Sequence, residues 1–281
     1  MQIPTKMKPA TTAKAQSIKA LLVGINRYPT APLRGCVNDV ANVRNYLIGR
    51  GVPTQNITVM LDGAATAKNI AWQLERMLMT ASEGETVLFH YSGHGAQFPR
   101  IGGPEADCLD EIICPVDFAW TKSTIISDKY FAQLFAAVPK KIKLIWISDS
   151  CHSGDLQRAM PQRIVSSPRR IMATNKQMLT DTFSLIYGDE KPVVRKILPK
   201  KINLDLVYIS GCASDQTSAD AYIDGDFAGA LTANLFKVLR GNPKINAEKL
   251  LDQTKKIILE SGYSQIPELV AGASWKKKPL F

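Results

Sequence analysis

Two short segments of this chain place an imidazole and a thiol among serines and glycines. One is HYSGHG at residues 90–95 and the other is DSCHSG at residues 149–154. A thiolate is a strong nucleophile near neutral pH, and imidazole is the side chain best suited to take a proton and return it. Glycines beside both groups permit tight turns whose backbone N–H groups can face a developing oxyanion. Cys151 and His94 are therefore the candidate nucleophile and base, 57 positions apart. His152 adjoins the thiol and is directed elsewhere in an extended or turn geometry. His90 lies inside an apolar run and reads as a core histidine with one hydrogen bond. A metal site built on His90 and His94 needs a helix between them, whereas the sequence there reads as strand running into a glycine turn.

Strands must bring the two segments together. TVLFHY (86–91) and KLIWISD (143–149) end just before them, and both are apolar nearly throughout, as strands buried on two faces are. If the two strands are neighbours in a parallel sheet, both tips fall on one edge. KALLVGIN (19–26), NITVML (56–61), EIICPVD (111–117) and DLVYISG (205–211) read as further strands. Helical spacing is expected over 36–51 (Val37, Val40, Val43, Leu47), over 66–81 with Thr66 as cap, and over 129–138 behind Ser127-Asp128. It recurs over 226–241 and 245–261. Residues from Ser92 to about Asp110 read as one long polar loop, and Asp220, Asp224 and Asp226 as an acidic surface loop. The alternation predicts an α/β fold, mostly parallel, with helices on both faces of the sheet.

The 281 residues are 45% hydrophobic, enough for a core without staples. Five scattered cysteines (36, 108, 114, 151 and 212) fit neither a disulfide framework nor a structural zinc site. Cys108 and Cys114 are expected to be semi-buried spacers. A net charge of +10 could favour anionic partners, but no basic patch is interleaved with aromatics, which argues against nucleic acid. No apolar run reaches the roughly 18 residues of a membrane span, and the stretch Ala20 to Ile25 is too short for an export signal, so a cytoplasmic protein is expected. Residues 155–204 hold four prolines and ten Lys or Arg against four Asp or Glu. They read as a basic surface segment within a single domain over 1–281, separating a larger part (19–154) from a smaller one (205–281).

The sequence resembles the caspase-like cysteine peptidases, and most closely the metacaspases and their prokaryotic relatives. The resemblance runs from Lys19 to about Gly272. It rests on LLVGINRY, LRGCVNDV (33–40), HYSGHG, DEIICPVD (110–117), DSCHSG, ISGCASDQTSAD (209–220) and FAGALTANLFKVL (227–239). Asp149-Ser150 stands where the caspase signature has Gln-Ala, which points to the metacaspase branch. The resemblance implies a caspase-like three-layer sandwich and a Cys-His dyad. Cys151 attacks, His94 is the base, and the backbone N–H groups of Cys151 and Gly95 form the oxyanion hole. It also implies a substrate pocket lined by Cys36, Asp39, Ser92 and Asp149.

Two carboxylates in one pocket suit a guanidinium or ammonium, so protein or peptide substrates with Arg or Lys before the cut are expected. The chemistry requires no cofactor. Many metacaspases use calcium as an activator, for which Asp107 and Asp128 are the candidate ligands, with Glu105 and Asp155 behind them. The family's paired aspartates appear here as Ser127-Asp128, which weakens such a site. Arg163, Arg169, Arg170 and Lys176 would be accessible to self-cleavage. A monomer is expected, as is usual for metacaspases. The alternative is a caspase-shaped binding or scaffold protein without turnover; a nucleotide-binding fold lacks its glycine-rich loop, since NRYPTAPLRGC has no phosphate-cradling spacing.

Overall fold

The computed structural model describes residues 17–99, 109–119, 122–150, 167–168, 204–212 and 218–281. In chain order its strands are β1 (Ile18–Gly24), β2 (Ile57–Leu61), β3 (Thr86–Ser92), β4 (Gly95–Pro99), β5 (Leu109–Ile113), β6 (Ile126–Ser127), β7 (Ile142–Asp149), β8 (Ser167–Pro168), β9 (Leu204–Ser210), β10 (Ala219–Ile223), β11 (Asp226–Gly229) and β12 (Glu268–Ala271). The helices are α1 (Cys36–Gly49), α2 (Ala67–Thr80), α3 (Asp128–Ala136), α4 (Ala230–Gly241), α5 (Ala247–Glu260) and α6 (Ala273–Lys276).

Six strands form the central sheet in the order β12-β9-β7-β3-β1-β2, parallel except for β12 on its edge. Strand alternation sends successive side chains to opposite faces. Leu21, Val23, Val87, Phe89 and Leu144 meet Ile70, Leu74 and Leu78 of α2 and Phe131, Leu134 and Phe135 of α3. Ala20, Leu22, Leu88, Ile145, Ile147 and Ile209 meet α1 through Val40, Val43 and Leu47, α4 through Leu231, Leu235 and Leu239, and α5 through Leu250 and Leu251. The inner strands are thus apolar on both sides, which is why 86–91 and 143–149 show no polar alternation in sequence. The expected caps are present: Thr66 Oγ1 accepts from the Asn69 N–H and Ser127 Oγ from the Tyr130 N–H, both at 3.3 Å.

Five expectations need correction. Residues 92–110 are not loop throughout, because β4 starts directly after His94 and pairs antiparallel with β5, which pairs in turn with β6. The fourth expected strand accordingly spans 109–113 rather than 111–117 and lies outside the central sheet. The helix expected from 226 begins at Ala230, since Asp226–Gly229 pairs antiparallel with β10. Asp224 (φ 51°) and Gly225 (φ 95°) make the two-residue turn between them, in the conformation that favours Asp-Gly. The acidic loop is therefore a hairpin, and Asp220 is buried in it. Its carboxylate accepts from the backbone N–H groups of Arg34 (2.8 Å) and Gly35 (2.9 Å), tying β10 to the start of α1. Cys114 is fully buried rather than semi-buried, and Cys108 lies outside the described residues. The basic segment and its four candidate cleavage positions, Arg163, Arg169, Arg170 and Lys176, also lie outside them. No described helix is long and apolar enough to cross a membrane.

Candidate active site

Strands β3 and β7 are neighbours, in a register that runs from Thr86 opposite Lys143 to Ser92 opposite Asp149. Adjacent strands stand about 4.8 Å apart. His94 follows the last paired residue of β3 by two positions, and Cys151 follows the last paired residue of β7 by two. Cys151 and His152 themselves lie outside the described residues. The chain leading to them ends at Ser150, which is buried, with its Oγ 2.8 Å from Ser148 Oγ and its carbonyl 3.8 Å from Cys212 Sγ. His90 is fully buried with Nε2 3.2 Å from Thr232 Oγ1, as expected of a core histidine.

His94 is enclosed by the loop between β1 and α1. Its Nε2 lies 2.6 Å from the Ala31 carbonyl oxygen, and a carbonyl only accepts, so the proton of the neutral ring belongs on Nε2. Nδ1 is then the nitrogen that carries the lone pair. Ala31 presents its carbonyl from a left-handed conformation (φ 56°). Side chains pin this loop: Asn26 Oδ1 accepts from the Cys36 N–H (2.9 Å), and Asn26 Nδ2 donates to the Arg34 carbonyl (3.0 Å). Asp62 Oδ1 accepts from the N–H groups of Asn26 and Arg27 at 2.8 and 2.9 Å. The Tyr28 ring lies against the imidazole, with centroids 4.4 Å apart.

The two expected pocket carboxylates converge. Asp39 and Asp149 are both fully buried. Asp39 Oδ2 accepts from Ser92 Oγ (2.5 Å) and its Oδ1 from the Gly229 N–H (2.9 Å). Asp149 Oδ1 accepts from Ser218 Oγ (2.6 Å) and its Oδ2 from the Thr232 N–H (2.8 Å), in the first turn of α4 where the helix dipole favours negative charge. A Cβ on Gly229 would collide with Asp149 Oδ2 and stand 2.7 Å from Asp39 Oδ2, so residue 229 must be glycine for the carboxylates to close on it. Cys36, the fourth expected lining residue, is buried at the first position of α1, three residues before Asp39 and hence on the same side of the helix.

Sequence reasoning missed the residues that hold these groups. Gln265 is almost fully buried, and its Nε2 donates to the Gly211 carbonyl (2.7 Å) and to Ser218 Oγ (3.3 Å), behind Asp149. Ala31, Gly229 and Ser218 carry no signal that composition or spacing could reveal. Of the calcium candidates, Asp107, Glu105 and Asp155 lie outside the described residues, and Asp128 is exposed at the start of α3. Among the described residues no group of three or more His, Cys, Asp or Glu side chains is arranged to hold a metal ion.

A parallel sheet between helices, with reactive segments at the carboxyl ends of two adjacent inner strands, is the architecture of the caspase fold. Caspase-1 of Spodoptera frugiperda superposes with a TM-score of 0.57 at 12% identity, covering 91% of this chain and 86% of that one. A protein of Geobacter sulfurreducens superposes with a TM-score of 0.70 at 21% identity, over 93% of this chain and 97% of that one. The metacaspase peptidase C14 domain model matches residues 18–159. Metacaspase-2 of Trypanosoma brucei brucei is 30% identical over 93% of this chain and 75% of its own length, and Metacaspase-1 of Mycosarcoma maydis is 31% identical over 89% and 69%. The chain belongs to the metacaspase family of cysteine-type peptidases.

Proposed function

We propose that this chain cuts peptide bonds after Arg or Lys, with Cys151 as nucleophile and His94 as base. The observation that carries the reading is the pairing of Ser92 with Asp149, from which both reactive segments depart. His94 Nδ1 takes the thiol proton, and the Ala31 carbonyl shares the charge of the resulting imidazolium through Nε2–H. The thiolate attacks the carbonyl carbon after the basic residue, and the oxyanion meets the backbone N–H groups of Cys151 and Gly95. The amine leaves with the proton from Nδ1. Water, deprotonated by the same nitrogen, then cleaves the thioester and regenerates the thiol.

Selectivity follows from the carboxylates. The hydroxyl and backbone N–H donors named above orient Asp39 and Asp149, and two converging carboxylates attract a substrate cation. An aspartate before the cut would bring a third negative charge into the same space, a penalty on the order of several kcal/mol. No step of this chemistry runs through calcium, and chelation by EDTA is expected to leave a basal rate; of the candidate calcium ligands, Asp128 is the one among the described residues.

Short chromogenic peptides ending in Arg, Lys or Asp test the reading. Wild-type protein is expected to cleave the Arg and Lys peptides with or without EDTA and to leave the Asp peptide intact. Cys151→Ala is expected to lower the rate by at least about 10³-fold. A folded wild-type chain that cleaves none of the three, with calcium or without it, favours the scaffold alternative. Incubated alone, the active chain is expected to yield fragments ending at Arg163, Arg169, Arg170 or Lys176, detected by mass spectrometry and absent from Cys151→Ala.

A further inference from the structure

We propose that Tyr28 and Tyr91 are positioning residues for His94, and that their paired hydroxyls hold both main-chain polar groups of that residue between the end of β3 and the start of β4. The proposal rests on the reading of His94 as the base of a cysteine peptidase. His94 stands in the gap between the last residue of β3 and the first of β4. Its backbone is buried there, and a buried N–H without a partner costs about 1–3 kcal/mol.

Tyr28 Oη accepts from the His94 N–H at 2.9 Å. Tyr91 Oη donates to the His94 carbonyl at 2.7 Å, and the Cys114 N–H reaches the same carbonyl at 3.0 Å. The hydroxyl oxygens are 3.2 Å apart, and both also lie within reach of the Cys114 carbonyl, at 2.9 Å from Tyr28 and 2.8 Å from Tyr91. Each hydroxyl has one proton. Assigning that of Tyr28 to the Cys114 carbonyl and that of Tyr91 to the His94 carbonyl satisfies both carbonyls and the His94 N–H together. Burial raises both hydroxyls well above their ordinary pKa, with Cys114 and Cys36 adding to the shift, so both protons stay in place wherever the enzyme works.

Two further features tie this pair to the imidazole rather than to general packing. A Cβ on Gly93 would sit 2.6 Å from the Tyr28 hydroxyl and 2.7 Å from that of Tyr91, so the hydroxyls occupy the space a side chain would need. Tyr28 also lies three residues before Ala31, whose carbonyl receives Nε2–H. One loop thus fixes the main chain of His94 through a hydroxyl, its ring plane through an aromatic face, and its tautomer through a carbonyl.

The test uses Tyr28→Phe and Tyr91→Phe in the full chain. Readouts are kinetics on an Arg peptide, alkylation of Cys151 by iodoacetamide across pH, followed by mass spectrometry, and thermal melting. Each variant is expected to lose about tenfold in kcat with KM unchanged. Loss of a well-placed base is expected to move the alkylation midpoint up by about one pH unit, toward the ordinary thiol value. The double variant is expected to fall short of the product of the single losses, because the hydroxyls act as a unit. Gly93→Ala supplies a second route that deletes neither hydroxyl: it is expected to lower kcat in the wild-type background and to cost little more in the double Phe background, where room is available.

Phe variants with wild-type kcat and a wild-type alkylation profile overturn the proposal while leaving the peptidase reading intact. So does a loss confined to melting temperature. A wild-type chain that cleaves nothing and alkylates as an ordinary thiol overturns the peptidase reading and this proposal with it.

Discussion

The two ends of the central sheet treat buried charge in opposite ways. At the amino end, Lys19 Nζ meets Glu85 Oε2 at 2.9 Å, and Ser17 Oγ donates to Glu85 Oε1 at 2.8 Å. Burial would raise the Glu85 carboxyl, but the Ser82 N–H, Lys19 and Ser17 outweigh it and hold the group below its ordinary value. Lys143 closes the same end from the neighbouring strand, donating to the Leu280 carbonyl at 2.8 Å with its ammonium 4.3 Å above the Trp275 ring. At the carboxyl end, the hydrogen bonds that orient Asp39 and Asp149 come from hydroxyls and backbone amides. Opposite charge and an aromatic face hold the amino end together, whereas hydroxyl and amide dipoles orient the two carboxylates at the other end. One sheet therefore has a stapled end and, on the proposed reading, a charged, receptive end.

Removing charge at the receptive end is the most severe way to break this contrast. Asp39→Asn keeps the shape, since the new amide can donate to Ser92 Oγ while its oxygen still accepts from Gly229. The expected result is a fall of about 10²-fold in kcat/KM on Arg peptides with little change in melting temperature, the loss of a buried charge partner for the substrate. An unchanged rate would remove Asp39 from the specificity pocket.

Asp220 offers a smaller effect of a different kind, because its carboxylate caps the backbone that leads into α1. Asp220→Ala leaves the N–H groups of Arg34 and Gly35 without that acceptor and is expected to cost about 2 kcal/mol in chemical denaturation. A loss of activity at a temperature where the variant is fully folded would show that the cap also shapes the site.

The smallest effect on peptide cleavage belongs to the stapled end. Burial, with Lys278 nearby, lowers Lys143 from 10.5 to about 8, against the pull of Asp205. Between those two values the unfolded chain binds more protons at this position than the folded one, so stability from this group rises as pH increases from about 8 to 10.5. Lys143→Met is expected to lack that rise in melting temperature relative to wild type, while peptide cleavage at pH 7 is unchanged. Parallel melting curves for the two proteins across this range would contradict it.

Local signals made much of the frame legible. The apolar runs of β1, β3 and β7 and the capped periodicity of α2 and α3 are set by short-range pattern, and the structure places them within two residues of expectation. The β10–β11 hairpin was also written in the sequence, as Asp224-Gly225 between Tyr222-Ile223 and Asp226-Phe227. It was hidden because Phe227, Leu231 and Leu235 continue a helical spacing through it. Pairing with β10 holds Asp226–Gly229 extended and delivers the Gly229 N–H to Asp39. Strands β4 and β12, five and four residues long, are too short for a period to stand out. Tyr28 and Tyr91 read as ordinary aromatics, since their work is done by hydroxyls that meet across 63 positions.

Sequence alone determined the reactive residue types, their glycine-bounded segments and the strands that end beside them, because nucleophilicity, turn preference and apolar periodicity are properties of a few consecutive residues. The choice of Ala31 as acceptor for His94, the closure of Asp39 and Asp149 on Gly229 and the tyrosine pair under the His94 backbone were decided only by the tertiary fold. Most of those contacts join groups distant along the chain, and hydrogen bonds depend on fractions of an ångström that no local pattern encodes.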